Sequence, residues 1–170
     1  TQFKKMHPLC RFEVKCEDTP RCLEMLGLGE LDLAITLQPM RTSEVEFVPC
    51  FTDELRVVVP SNHKWAEDGR VDWTQADAES FILYNRGSYT FRMLKEYLDR
   101  VGVRLSSFME ISSQEAGKEL IKVGMGVGLM ADWAVEPEVS RGELQSLPLG
   151  RKKLMRTWGV SVRKGRKLNK

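Results

Sequence analysis

The stretch richest in reactive and hydrogen-bonding groups is Arg86-Gly87-Ser88-Tyr89-Thr90, which lies between an apolar strand and a helix. A helix that opens there presents free amides and the positive end of its dipole, a natural seat for an anion. Ser88 and Thr90 add hydroxyls, Gly87 lets the backbone approach a ligand, and Tyr89 can cover one. Plain capping of the helix by Ser88 fits the same residues and is compatible with ligand contact. Thr19, at an earlier helix start, and Gln38, just after Leu37 at a strand end, hold the corresponding positions earlier in the chain.

Catalytic chemistry has little to draw on. His7 and His63 are the only histidines, and both lie among loop-type residues. No serine sits in a G-x-S-x-G elbow, and no His, Asp or Glu group has metal-ligand spacing. Glu17 and Asp18 stand at the mouth of a helix, where a favourable interaction with its dipole accounts for them. No catalytic residue, metal or cofactor is expected, and the protein is not expected to be an enzyme. Cys10, Cys16, Cys22 and Cys50 form no C-x-x-C pair. They are expected to be buried or inert thiols in a reducing compartment.

Gly124-Met125-Gly126-Val127-Gly128 invites a nucleotide-binding reading. That motif needs its glycines between a strand and the following helix. Here a helix comes first and a strand follows, so the glycines are read as a helix cap and a tight turn.

The elements that would carry these residues follow from periodicity. Phe3 to Leu9 reads as a helix end stopped by Pro8, and Phe12 to Cys16 alternates like a strand. Thr19-Pro20 starts a helix that Gly27 and Gly29 end, and Leu31 to Leu37 is a buried-type strand. Val45 to Cys50 and Leu55 to Val59 are read as two strands around Thr52-Asp53, with a loop and hinge at Pro60 to Lys64. The pattern then restarts: strand 81–84, helix 88–100, strand 106–111, helix 113–123, strand 127–130, helix 133–139, and late strands 144–149 and 154–162. Alternating strands and helices with short connections imply an α/β fold. Two such units, each short of a full domain, imply two lobes.

Bulk properties agree. The 170 residues suffice for one large domain or two small lobes, and 42% hydrophobic with 29% charged residues describes a globular chain. No apolar run approaches the length of a bilayer span, and Thr1 to Met6 lacks the apolar core of an export signal. The net charge of +2 hides an asymmetry. Residues 150–170 hold nine basic side chains and no acid, leaving 17 basic against 24 acidic side chains before them. That body repels a phosphate backbone. The basic end is read as a solvated edge strand and linker rather than a nucleic-acid arm.

Three stretches together resemble the effector-binding domain of LysR-type transcriptional regulators. They are Gly29-Glu30-Leu31-Asp32-Leu33-Ala34-Ile35, the run from Asp53 to His63, and the run from Glu115 to Gly128, in that order over nearly the whole chain. The resemblance implies two Rossmann-like lobes of the type II periplasmic-binding-protein kind, joined by two crossover strands. The lobes would be 1–64 with 143–170, and 65–142. It implies a small molecule, expected to be anionic, in the cleft between them. Its contacts would fall at Thr19, Leu37, Gln38, Gly87, Ser88, Tyr89, Thr90, Met130 and Ala131. It further implies a cytoplasmic homodimer or tetramer that reaches DNA only through a winged helix-turn-helix outside these residues, with no membrane partner. The family's winged helix-turn-helix, its linker helix, the first strand of lobe one with its Ser/Thr loop, and the final helix are not matched here. A transporter's solute-binding protein with the same fold is the alternative.

Overall fold

A computed structural model describes residues 2–40, 44–105 and 108–165. The described helices are α1 (Gln2–Met6), α2 (Thr19–Leu28), α3 (Lys64–Asp68), α4 (Tyr89–Val101), α5 (Gln114–Lys122) and α6 (Asp132–Ser140). A 3-10 turn covers Trp73–Ala78. The strands are β1 (Ala34–Leu37), β2 (Val45–Pro60), β3 (Phe81–Tyr84), β4 (Phe108–Ile111), β5 (Val127–Ala131), β6 (Leu144–Pro148) and β7 (Leu154–Arg163). They form one mixed sheet in the order β1-β7-β2-β5-β3-β4, with β6 also paired to β2.

The long strand β2 organises the molecule. Its first part, Val45 to Leu55, runs antiparallel to β7, which also pairs with β1. From Leu55 onward it pairs instead with β5 and β6. The sheet therefore has a first region of α2, β1, β7 and early β2, and a second region in which parallel β3, β4 and β5 extend from late β2. The two strands expected at 45–50 and 55–59 are one strand, with an irregularity between Pro49 and Phe51. The change of partner falls at Leu55, not in the loop at 60–64, and β6 lies in the second region. From β6, paired to late β2, the chain passes through Pro148 to Leu154 into β7. Pro60 is still in a ladder and Trp65 just beyond it is fully buried.

Local signals form the helices as expected. Asp18 caps α2 by accepting from the Arg21 amide, with Pro20 in the first turn and left-handed Gly29 closing it. Ser88 caps α4 and Ser113 caps α5. The glycine run is the expected turn: Gly126 has φ 157°, and a Cβ there would overlap the Ser80 carbonyl.

Two expectations fail for tertiary reasons. Phe12 to Cys16 forms no strand: its alternation is right, but it finds no ladder among the described residues, and Val14 is 85% exposed. The basic β7 is no edge strand, because β1 and β2 flank it. Of the cysteines only Cys22 is buried, while Cys16 and Cys50 are exposed and all four are free. The beginning of the strand expected from Ser106, and residues 166–170 of the basic end, lie outside the described residues.

Candidate functional site

The carboxyl ends of β1, β3 and β4 lie around one cleft of about 230 Å³. This is where open α/β sheets bind ligands, because the following helices begin there. One wall is the mouth of α2, with Glu17, Asp18 and Thr19. The facing wall is the mouth of α4, with Ser88, Tyr89 and Thr90, and beside it Ser112 and Gln114 at the start of α5. Ile35 and Leu37 of β1, Tyr84 of β3, and Arg156 and Trp158 of β7 complete the lining.

Three hydroxyls of the cleft already have work in the fold. Thr19 Oγ1 accepts from the Leu37 amide at 3.1 Å, tying the start of α2 to the end of β1. Ser88 Oγ accepts from the Phe91 amide at 3.1 Å as the α4 cap. Thr90 Oγ1 accepts from Arg156 Nη1 at 2.9 Å. A hydroxyl that accepts can still donate, so none is lost to a ligand. The two helix mouths also touch, since Asn85 Nδ2 donates to Asp18 Oδ2 at 3.0 Å.

Behind the cleft lies a cluster that sequence reasoning missed. Asp53 is buried where β2 changes partners, and it receives Arg156 through Nε at 2.8 Å and Nη2 at 2.6 Å. Trp133 Nε1 and Trp158 Nε1 each donate to the same carboxylate at 2.9 Å. The side chains of Arg156 and Asp53 are only 5% and 2% exposed. Burial pushes the Asp53 carboxyl up, but hydrogen bonds from Arg156, Trp133 and Trp158 and the charge of Arg156 outweigh it. The net result is a pKa below the ordinary value of 3.8. This carboxylate connects β7 to the first turn of α6, and Arg156 carries the connection on to α4.

Of the residues expected at the site, the cleft brings together Thr19, Leu37, Ser88, Tyr89 and Thr90. Four others do not line it. Gln38 is exposed, with its amide on the Thr157 carbonyl, and Gly87 is exposed, with its amide on Asn85 Oδ1. Met130 is packed in the core with Val58, Ile82 and Ile121. Ala131 is buried at the cap position of α6. Arg156, Trp158 and Asp53 had no local signal. Their partners lie on distant segments, and Arg156 sat in a basic run that looked solvated.

A larger hollow of about 460 Å³ runs along α4 between Phe91 and Phe108. Its interior is mainly apolar, with Lys95, Asp99 and Arg104 as its charged members, and no helix mouth or strand end converges on it. The smaller cleft has the convergent polar groups of a binding site. Neither histidine lines it. His7 sits on Phe3, and His63 caps α3 and faces Glu79 at 3.3 Å. Among the described residues no group of three or more His, Cys, Asp or Glu could hold a metal ion.

An α/β sheet with a polar cleft at its strand ends is a form suited to binding a small molecule. The LysR substrate binding domain family model matches residues 1–170, and the chain belongs to that family. The RuBisCO operon transcriptional regulator of Allochromatium vinosum is 22% identical over 98% of the chain and 55% of its own length. The chain thus spans about half the length of the curated relatives it matches. Among solved structures, the regulatory domain of CcmR from Synechocystis PCC6803, in complex with 2-PG, superposes with a TM-score of 0.87. It is 24% identical over 99% of this chain and 81% of that one. The effector binding domain of QuiR in complex with shikimate superposes with a TM-score of 0.83, at 20% identity over 99% and 80%. At these identities the likeness establishes the fold, which is the type II periplasmic-binding-protein-like fold of LysR effector-binding domains. Among the described residues no helix is long and apolar enough to cross a membrane.

Proposed function

We propose that these residues form the effector-sensing domain of a cytoplasmic LysR-type transcription regulator. A small molecule bearing an acid group binds in the cleft between the two sheet regions, which act as lobes. The observation that carries this reading is the convergence of two helix mouths, at Thr19 and at Ser88 to Thr90, on one cleft backed by Arg156. That QuiR and CcmR domains of this fold hold shikimate and 2-PG supports it. The effector acts by its different affinity for two arrangements of the lobes. The change passes through contacts between copies, in a dimer or tetramer, to DNA-binding parts outside these residues. No turnover of the ligand is expected.

Mass spectrometry of the molecule retained through purification would identify it, and calorimetry with that molecule tests the site. Thr90→Ala and Ser88→Ala are each expected to weaken binding about tenfold by removing one hydrogen bond to a charged group. Unchanged affinity in both would remove the site from the cleft. Tight sequence-specific DNA binding by these 170 residues alone at physiological salt would overturn the assignment of DNA contact to other parts of the protein.

A further inference from the structure

Among the described residues Arg156 is the only cation lining the cleft, and its charge is already matched by Asp53. A guanidinium has five N–H groups. Among the described residues two of them meet Asp53 and a third meets Thr90, so N–H capacity remains on Nη1 and Nη2. Beside Nη1 stands the first turn of α4. There Ser88 accepts from the Phe91 and Arg92 amides, while those of Tyr89 and Thr90 precede the first intrahelical bond. Donors therefore gather at one end of the cleft.

The other end is different. Glu17 and Asp18 offer only acceptors there. Asp18 is fixed by the Arg21 amide and by Asn85, and Glu17 is exposed. The nearby rim cations are engaged: Arg21 lies 2.6 Å from Glu24, and Arg92 lies over the Tyr89 ring. Ile35, Leu37 and Trp158 also line the cleft, and among the described residues its lining holds no second cation. With Asp53 cancelling Arg156, the described lining is net acidic. One acid group can gain local hydrogen bonds at the α4 end, whereas a second would face Glu17 and Asp18. The volume of about 230 Å³ falls below the roughly 300–1,000 Å³ of drug-sized pockets, which suits a small metabolite.

We propose that Arg156 is the acid-recognising residue of this cleft and that the effector carries a single acid group. That group lies on Arg156 and the mouth of α4, while hydroxyl or ammonium donors meet Glu17 and Asp18 at the mouth of α2. The proposal rests on the cleft reading above and narrows its ligand class.

Four probes of similar size test it on the full-length protein, read by calorimetry and by tryptophan emission. They are glycerate, serine, tartronate (hydroxymalonate) and glycerol. Glycerate or serine is expected to bind about tenfold more tightly than tartronate and glycerol, the worth of one charge-assisted hydrogen bond. Serine against glycerate separates ammonium from hydroxyl at the α2 end. Glu17→Gln, at an exposed position, is expected to halve the disadvantage of tartronate or better. Arg156→Lys keeps a cation for Asp53 and is expected to bring glycerate down toward glycerol. Tartronate binding as tightly as glycerate, glycerol matching glycerate, or none of the four binding would overturn the proposal. If the probes bind but ignore Ser88→Ala and Thr90→Ala, the cleft reading itself falls. If they respond to those changes yet rank tartronate first, the cleft stands and only the single-acid class is lost.

Discussion

The two regions of the sheet are held together in different ways. In the second, β3 and β5 are buried on both faces, and two clusters centred on Phe81, Trp65 and Leu98 and on Ile82, Ile121 and Val58 fill the space against the helices. In the first, α2 covers one face through a small cluster of Cys22, Leu26, Ala34 and Val45. On that region Leu33, Ile35, Val48 and Phe51 remain exposed. Strand composition explains the contrast. Parallel strands buried on both sides read as unbroken apolar runs, such as Phe81-Ile82-Leu83, while antiparallel strands alternate. The second region is stabilised by side-chain packing. The first depends more on strand ladders and on the one carboxylate, Asp53, that joins it to α6. The cleft lies where these two kinds of stability meet.

Asp53→Ala should break that join and give the largest loss. It strands the buried Arg156 and two indole donors, and the expected cost is about 3–5 kcal/mol by urea unfolding. Its pH dependence has a defined sign. Because the folded pKa of Asp53 is held below 3.8, its contribution is complete above that value and is lost as pH falls through the lower folded pKa. Urea midpoints measured from neutral pH down into this acid range should decline in the parent and decline less steeply in Asp53→Asn. An equally steep acid limb in the variant would show that the titration belongs elsewhere.

Core truncations compare the regions directly. Ile121→Ala should cost about 2–5 kcal/mol, with Leu26→Ala at the lower end of that range, since the thin cluster under α2 can collapse around the gap. A larger loss for Leu26 would reverse the contrast drawn above. Thr36 and Ser161 share a buried hydrogen bond of 2.7 Å between β1 and β7. Thr36→Val should cost about 1–3 kcal/mol by leaving Ser161 unpaired, and adding Ser161→Ala should recover much of it. Non-recovery would mean that the cavity, rather than the polar group, sets the cost. The smallest stability effect is expected for Ser88→Ala, about 1 kcal/mol from the lost α4 cap, seen as a small shift in Tm.

Much of the second region was legible in the sequence. Ser88, Ser113 and the apolar spacing of α4 and α5 are local instructions, and the structure follows them. The order helix, glycines, strand at 124–128 pointed to a cap and turn rather than a phosphate loop, and Gly124 and Gly126 take the positive φ of such a turn. Five residues of the cleft were visible for the same reason, because helix starts and strand ends carry their own signals. Met130 and Ala131 were placed by family likeness, Gln38 by likeness and by its place at a strand end, and Gly87 by its place in the polar loop; none of the four is in the lining of the cleft. Phe12 to Cys16 had the pattern of a strand, but a strand exists only with a neighbour.

The α/β class, the helix mouths at Thr19 and Ser88, and the lack of a familiar catalytic motif were readable from residues within one or two turns of each other. Long-range packing alone set β2 across both regions, made the basic β7 an inner strand, and brought Arg156 to Asp53 across 103 positions. Those outcomes depend on which ladders and buried charges find partners over long separations, and a charge is tolerated in a core only when such a partner is there.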